Sequence, residues 1–199
     1  MDENKYVYCR KFFLTLISAE NLPNVRKFFE SKVYAKVSFG GDKKTERRTP
    51  VDKHNELNPA WNYTMKYTIA EPGVIHYGIQ LVIKLYCKRK LGDRYIGEIH
   101  TPIKELFDRA YSQGGSAMLD LPIMQGSASA ETGGMLKFSY RFSQPQWKEK
   151  PRFLKKLLLH GATFLLRVAG QATLGVDLPL TASLHAGTNI IDADTLNVK

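Results

Sequence analysis

The run LYCKRKLGDRYIGEI, residues 85–99, gathers Lys88, Arg89, Lys90 and Arg94 around one acidic residue, Asp93. Ammonium and guanidinium groups at this density suit carboxylates, phosphates and acidic headgroups, arginine in bidentate fashion and lysine as a point charge. Like charges held close repel by about 1 kcal/mol per pair at ~4 Å in water, so an approaching anionic surface relieves the loop. A second basic stretch, YAKVSFGGDKKTERRTP (34–50), carries Lys36, Lys44 and Arg48. If 44–49 is a strand, its period-two alternation sets Lys44, Glu46 and Arg48 on one face and Lys43, Thr45 and Arg47 on the other. Glu46 interrupts that basic face.

The whole chain agrees in sign: 199 residues carry a formal net charge of +10, which favours a polyanionic partner. Catalytic patterns are missing from the sequence. GGDKKT lacks the spacing of a phosphate-binding loop, and there is no H-E-x-x-H, G-x-S-x-G or C-x-x-C. His54, His76, His100, His160 and His185 are scattered, none with a metal-ligand partner at motif spacing. The sequence reads as non-enzymatic, with no metal, no cofactor and no nucleic-acid motif. Two cysteines, Cys9 and Cys87, make no disulfide framework and read as reduced cytosolic thiols. The early stretch FFLTLISA follows an acidic start and reads as a first β-strand rather than a secretion signal.

Strands must position these charges. Runs rich in β-branched and aromatic residues recur at 12–18, 33–39, 44–49, 61–69, 79–87, 95–102, 117–122 and 135–142. Turn signals separate them: FGGD, NELNPAW, AEPGV, LGD and SQGG. Eight short strands predict an all-β, antiparallel sandwich. PIKELFDRAY is the one short helix expected among them, with Ile103, Leu106, Phe107 and Ala110 on one face. Asn58, Pro59 and Trp61 read as structural, a turn that aims an aromatic ring into the sandwich.

Taken in order, LTLISAENL, SKVYAKVSF, TPVDKHNELNPAWNYTMKYTI and LGDRYIGEIHTPIKELFD resemble a plant C2 domain, most nearly the small cold- and stress-regulated plant C2 proteins. The resemblance spans residues 11–144, and NPAWN with YIGE is its most specific part. It implies an eight-stranded sandwich with three ligand loops at one end, docking to membranes or protein partners, and a role in stress or defence signalling. Calcium-dependent members place five aspartates on the first and third loops, since calcium wants six to eight oxygen ligands. Here Lys32 stands where Ser-Asp-Pro-Tyr would supply one, in Ser31-Lys32-Val33-Tyr34. The third loop's three ligand positions fall on Tyr86, Lys88 and Arg94, and the first loop's other position falls near Asn24 or Arg26. Asp93 and Glu30 adjoin expected positions without filling them. Lys36 keeps a lysine that many C2 domains use for phosphoinositide headgroups.

Beyond residue 144 the composition changes. QPQWKEKP opens a Pro- and charge-rich hinge, 145–152. Residues 153–175 follow as an amphipathic helix. Lys156, His160, Thr163, Arg167 and Gln171 form its narrow polar stripe; Leu158 and Leu165 belong to its wide apolar face. That pattern suits a helix lying in the headgroup region, since Arg167 and His160 interrupt the run a spanning helix needs. Packing on a partner or on the sandwich itself stays open. Residues 176–199 read as a tail without a motif, open to disorder. The expectation is therefore a calcium-independent C2 adaptor, residues 1–144, on the cytoplasmic face of a membrane. Its headgroup contacts would be Lys32, Lys36, Lys44, Arg48, Lys88, Arg89, Lys90 and Arg94 on anionic phospholipids or phosphoinositides, with Lys156, Leu158, Leu165 and Arg167 in the membrane-associated helix. The alternative is a protein-interaction module whose basic loops grip an acidic partner.

Overall fold

The computed structural model describes residues 6–25, 31–76, 78–125, 130–149 and, as backbone, the strand at 190–195. Its strands are β1 (Tyr6–Glu20), β2 (Val33–Phe39), β3 (Arg47–Arg48), β4 (Ala60–Ala70), β5 (Gln80–Cys87), β6 (Arg94–Pro102), β7 (Ser116–Gln125), β8 (Ala130–Phe142), β9 (Gln146–Glu149) and β10 (Ile190–Thr195). Two short helices, α1 (Glu71–Ile75) and α2 (Ile103–Ser112), follow β4 and β6. Seven of the first eight strands match runs expected from the sequence; the third, β3, is reduced to two residues.

Hydrogen bonding runs β10-β4-β1-β8-β7-β6-β5-β2-β3, with β9 paired to β1. The link between β7 and β6 is a single residue pair, Glu98 with Met124. The sheet therefore folds over there into two antiparallel layers, β4-β1-β8-β7 and β3-β2-β5-β6. Alternation decides which side chains lie between them. Phe12, Leu14 and Leu16 of β1, Met65, Tyr67 and Ile69 of β4, Val33, Ala35, Val37 and Phe39 of β2, and Leu81, Ile83 and Leu85 of β5 are buried in one core. Phe39 meets Tyr67 edge to face at 4.8 Å, a geometry favoured by the ring quadrupoles.

The glycine of YIGE stands at the fold-over. A Cβ on Gly97 would sit 2.5 Å from Ile123 Cγ2 and 2.8 Å from the Met124 carbonyl. Only a residue without a side chain lets β6 approach β7 this closely.

Three expectations are corrected. Residues 44–49 are not a continuous strand: Lys43–Thr45 form a 3₁₀ turn, and only Arg47–Arg48 pair with β2. Asp42 caps that turn by accepting from the Lys44 N–H, and the buried Thr45 hydroxyl accepts from the Phe39 N–H; this local bonding replaces strand pairing. Within the expected hinge, Gln146–Glu149 pair with Tyr6–Cys9 of β1. Within the expected tail, residues 190–195 pair along β4 from Ile69 to Met65. The amphipathic helix expected at 153–175 lies outside the described residues.

Candidate functional site

β1, β2, β4, β5 and β6 all place an end at one pole of the sandwich, and residues 21–25, 31–32, 49–59 and 88–93 meet there. The register shows it: Ser18 pairs with Ala60, and Val33 pairs with Cys87. Backbone bonds fasten the loops to one another. The Lys88 N–H donates to the Lys32 carbonyl at 2.7 Å, the Leu22 N–H to the Leu57 carbonyl at 3.1 Å, and the Ala19 N–H to the Pro59 carbonyl at 2.9 Å. NPAWN acts here as expected. Asn58 Oδ1 accepts from the Asn21 N–H, and Trp61, partly buried against the core, donates Nε1–H to the Val33 carbonyl.

Asp52 organises the second loop. Burial pushes its carboxyl up. Donation from the Asn55 amide and from the backbone N–H groups of Asn55, Ala60 and His54 outweighs that burial and lowers the pKa to about 2. Asp93 does the same for the third loop. It accepts from the Tyr34 hydroxyl at 2.7 Å, the Arg89 N–H at 3.1 Å and Lys88 Nζ at 3.3 Å. The Tyr34 bond first, then those of Arg89 and Lys88, hold the Asp93 carboxyl below its usual range. Burial, then donation to Asp93, pushes the Tyr34 phenol up.

Lys88, Arg89, Lys90 and Arg94 are exposed at this pole, and Lys32 is half-buried beside them. Arg94 reaches across to donate to the Val25 carbonyl at 3.1 Å. Leu91 projects from the apex of the cationic loop and is 95% exposed. Sequence reasoning passed over this leucine, although an apolar residue between Lys90 and Gly92 is visible in the loop. Among the described residues no group of three or more acidic, histidine or cysteine side chains is placed to hold a metal ion. Lys32, Lys88 and Arg94 bring cations where carboxylates are needed, and both Asp52 and Asp93 are held in loop hydrogen bonds. Glu30 belongs to residues 26–30, outside the described set.

The outer face of the β2-β5-β6 layer adjoins this pole. Tyr34 stacks on Tyr86 at 5.7 Å, and Tyr86 meets Tyr95 edge-on at 5.8 Å. Lys36 lies over the Tyr86 ring at 5.4 Å and opposite Arg48 in register. Lys36 also pairs with Glu46 at 2.8 Å, and Lys84 with Glu98 at 3.1 Å. His100 Nε2 approaches Glu98 at 2.9 Å. Lys84 was missed in the sequence because it becomes a neighbour of Lys36 only through pairing of β2 with β5. Lys44 is removed from this face: its turn follows Phe39 at the opposite pole, so it does not join Lys36 and Arg48. The four residues named on the amphipathic helix, Lys156, Leu158, Leu165 and Arg167, lie outside the described residues.

Comparison with known proteins agrees with this architecture. A family model described as C2 domain matches residues 10–118. Protein SRC2 of Glycine max is 34% identical over 137 residues, covering 68% of this chain and 47% of that protein. The Arabidopsis thaliana SRC2 homolog is 33% identical over 137 residues, covering 68% of this chain and 41% of its own length. The chain thus spans less than half the length of either relative. Among solved structures, a C2 domain of plant Extended Synaptotagmin 1 superposes with a TM-score of 0.53 at 18% identity, covering 67% of this chain and 93% of that one. Human GIVD cytosolic phospholipase A2 superposes with a TM-score of 0.53 at 14% identity, covering 69% of this chain and 17% of that one. At such identities these structures establish the shared fold alone.

Proposed function

Because the chain belongs to the C2-domain family, we propose that it docks on anionic phospholipid surfaces through its basic pole, without calcium, as an adaptor that recruits partners in plant stress or defence signalling. One observation carries the reading: Lys32, Lys88, Arg89, Lys90 and Arg94 converge on the pole where calcium-binding relatives would need carboxylates. The cations then do the work that bound calcium does elsewhere, each contributing ~1 kcal/mol near a charged membrane. Asp93 offsets only one of these five cations, by pairing with Lys88 at 3.3 Å, and leaves the pole strongly positive. Leu91 supplies an apolar group at the apex, and burying a leucine contributes about 1.5–3 kcal/mol.

On the sheet face, Lys36, Lys84 and Arg48 flank a tyrosine ladder and form a second candidate contact for phosphorylated headgroups. Both lysines there already hold a carboxylate, against Lys88 alone among the five cations of the pole, which ranks this face below the pole. The cytoplasmic face of a membrane is the location this proposal implies. Among the described residues no helix is long and apolar enough to cross a membrane.

Flotation with phosphatidylserine-containing and neutral vesicles in excess chelator tests the proposal. Binding to the anionic vesicles alone, unchanged by added calcium, is expected. Failure to bind anionic vesicles rejects lipid docking and moves the basic pole to an acidic protein partner.

A further inference from the structure

The stretch that carries the pole's cations also carries one acid. Between β5 and β6 the chain reads Lys88-Arg89-Lys90-Leu91-Gly92-Asp93, and Arg94 opens β6. On a surface that meets anions a carboxylate works against docking, by about as much as one cation works for it. Asp93 is the sole acidic residue of the run, and its carboxylate is turned largely away from solvent, 22% exposed.

Both of its oxygens hold the loop in shape. Oδ1 accepts from the Arg89 N–H at 3.1 Å, four residues back. That bond closes a short ring of chain around Lys90, Leu91 and Gly92. Gly92 turns there with a φ of +101°, a left-handed value that glycine adopts freely. The turn sets Leu91 at the apex, with Arg89 and Lys90 exposed beside it. Oδ2 accepts from the Tyr34 hydroxyl at 2.7 Å. Tyr34 is a fixed post: it is buried, lies on β2 opposite Tyr86, and stacks on that ring. Lys88 Nζ meets the same oxygen at 3.3 Å, a longer and more exposed contact. The ends of the loop are tied separately, by the Lys88 N–H on the Lys32 carbonyl and by Arg94 on the Val25 carbonyl. Asp93 ties the stretch between them to the sheet.

We infer that Asp93 is a positioning residue for docking on an anionic lipid surface. Through the Arg89 N–H and the Tyr34 hydroxyl it presents Arg89, Lys90 and Leu91 together, and the fixed loop adds more to docking than the carboxylate's charge takes away. This deepens the docking proposed above and rests on it. A loose loop has to be ordered as it docks, and that ordering is subtracted from affinity. Tyr34 shares the task as an uncharged donor.

Two substitutions separate the charge from the bonds, since each removes the same negative charge. Asp93→Asn keeps the shape: its amide oxygen accepts from the Arg89 N–H, and its NH2 donates to the Tyr34 oxygen. Asp93→Ala keeps neither bond. Co-sedimentation with phosphatidylserine-containing vesicles, in chelator and at low salt, compares both with the wild type. D93N should bind about fivefold more tightly than the wild type, the gain from one negative charge removed. D93A should bind at least about tenfold more weakly than D93N, and below the wild type, despite its equal charge. Tyr34→Phe keeps the ring, changes no charge and should also bind below the wild type. Without lipid, hydrogen exchange of the Arg89 amide should be slow in the wild type and in D93N and fast in D93A, while the amides of β5 stay protected in all three. Equal binding by D93A and D93N overturns the inference, on whichever side of the wild type they fall, and so does D93A binding more tightly than the wild type. If D93A does not fold, Y34F decides: weaker binding supports the inference, and binding equal to the wild type overturns it. Those outcomes leave the docking proposal standing wherever the wild type binds anionic vesicles. A wild type that stays unbound rejects that proposal, and this inference with it.

Discussion

Asp52 shows how one carboxylate in the tip can be read by pH. Its folded pKa, about 2, lies below the ordinary unfolded value of ~3.9. A depressed acid stabilises the fold fully above the unfolded value, and that contribution is lost as pH falls through the folded one. Asp52→Asn should therefore be less stable than wild type at pH 7 by about 1 kcal/mol, a figure discounted for solvent screening. The gap should close between about pH 4 and pH 2. Urea melts across that range measure it, and a gap independent of pH would show that the carboxylate charge contributes nothing. Leu91 belongs to the same scale. Leu91→Ser should weaken vesicle binding about tenfold, the equivalent of ~1.4 kcal/mol. The loss should persist at high salt, because apolar burial is not screened. A loss confined to low salt would mean that the leucine touches no lipid. The clustering of Lys88, Arg89, Lys90 and Arg94 was legible from type and spacing alone, because these cations are close neighbours in the sequence. Lys84 was not legible as a partner of Lys36, since their proximity exists only across paired strands.

Among the elements, the long strands were legible because alternation and β-branched content repeat over enough residues to average out local accidents. The short ones were not. Lys43–Thr45 turn because Asp42 and Thr45 bond to nearby backbone, a choice that side-chain polarity alone does not distinguish from a strand. β9 has four residues, and only the N-terminal extension of β1 makes it a strand. Gly97 marks where sequence and architecture meet most tightly. Gly97→Ala should be strongly destabilising, by roughly 1–3 kcal/mol, because Ile123 and the Met124 carbonyl already occupy the space of a Cβ. A thermal melt lowered by about 3–10 °C would agree. An unchanged melt would mean that β6 and β7 separate freely, contrary to the close approach described here.

At the scale of the molecule, β9 and β10 change what a boundary after residue 144 means. The eight strands before it build both layers, so a chain ending at Gln144 should fold. It should melt several degrees below the full chain, because Tyr6–Cys9 lose β9 and Met65–Ile69 lose β10 as pairing partners. Equal melting temperatures would show that the two added strands contribute no net stability. The two poles differ in chemistry: cations and Leu91 are exposed at one, and the aromatic rings of Tyr8, Tyr111 and Trp147 at the other. The central claim concerns the first pole, and its most direct measurement is vesicle co-sedimentation of K88Q/R89Q/K90Q/R94Q against wild type, in chelator, over a range of salt. Binding of the wild type should fall steeply as salt rises, since charges farther apart than ~8 Å are screened at physiological ionic strength. The quadruple variant should bind about a thousandfold more weakly at low salt, about 1 kcal/mol for each of the four cations removed, while melting like the wild type. Equal binding of the two proteins to anionic vesicles, or wild-type binding that ignores salt, would contradict docking through the basic pole.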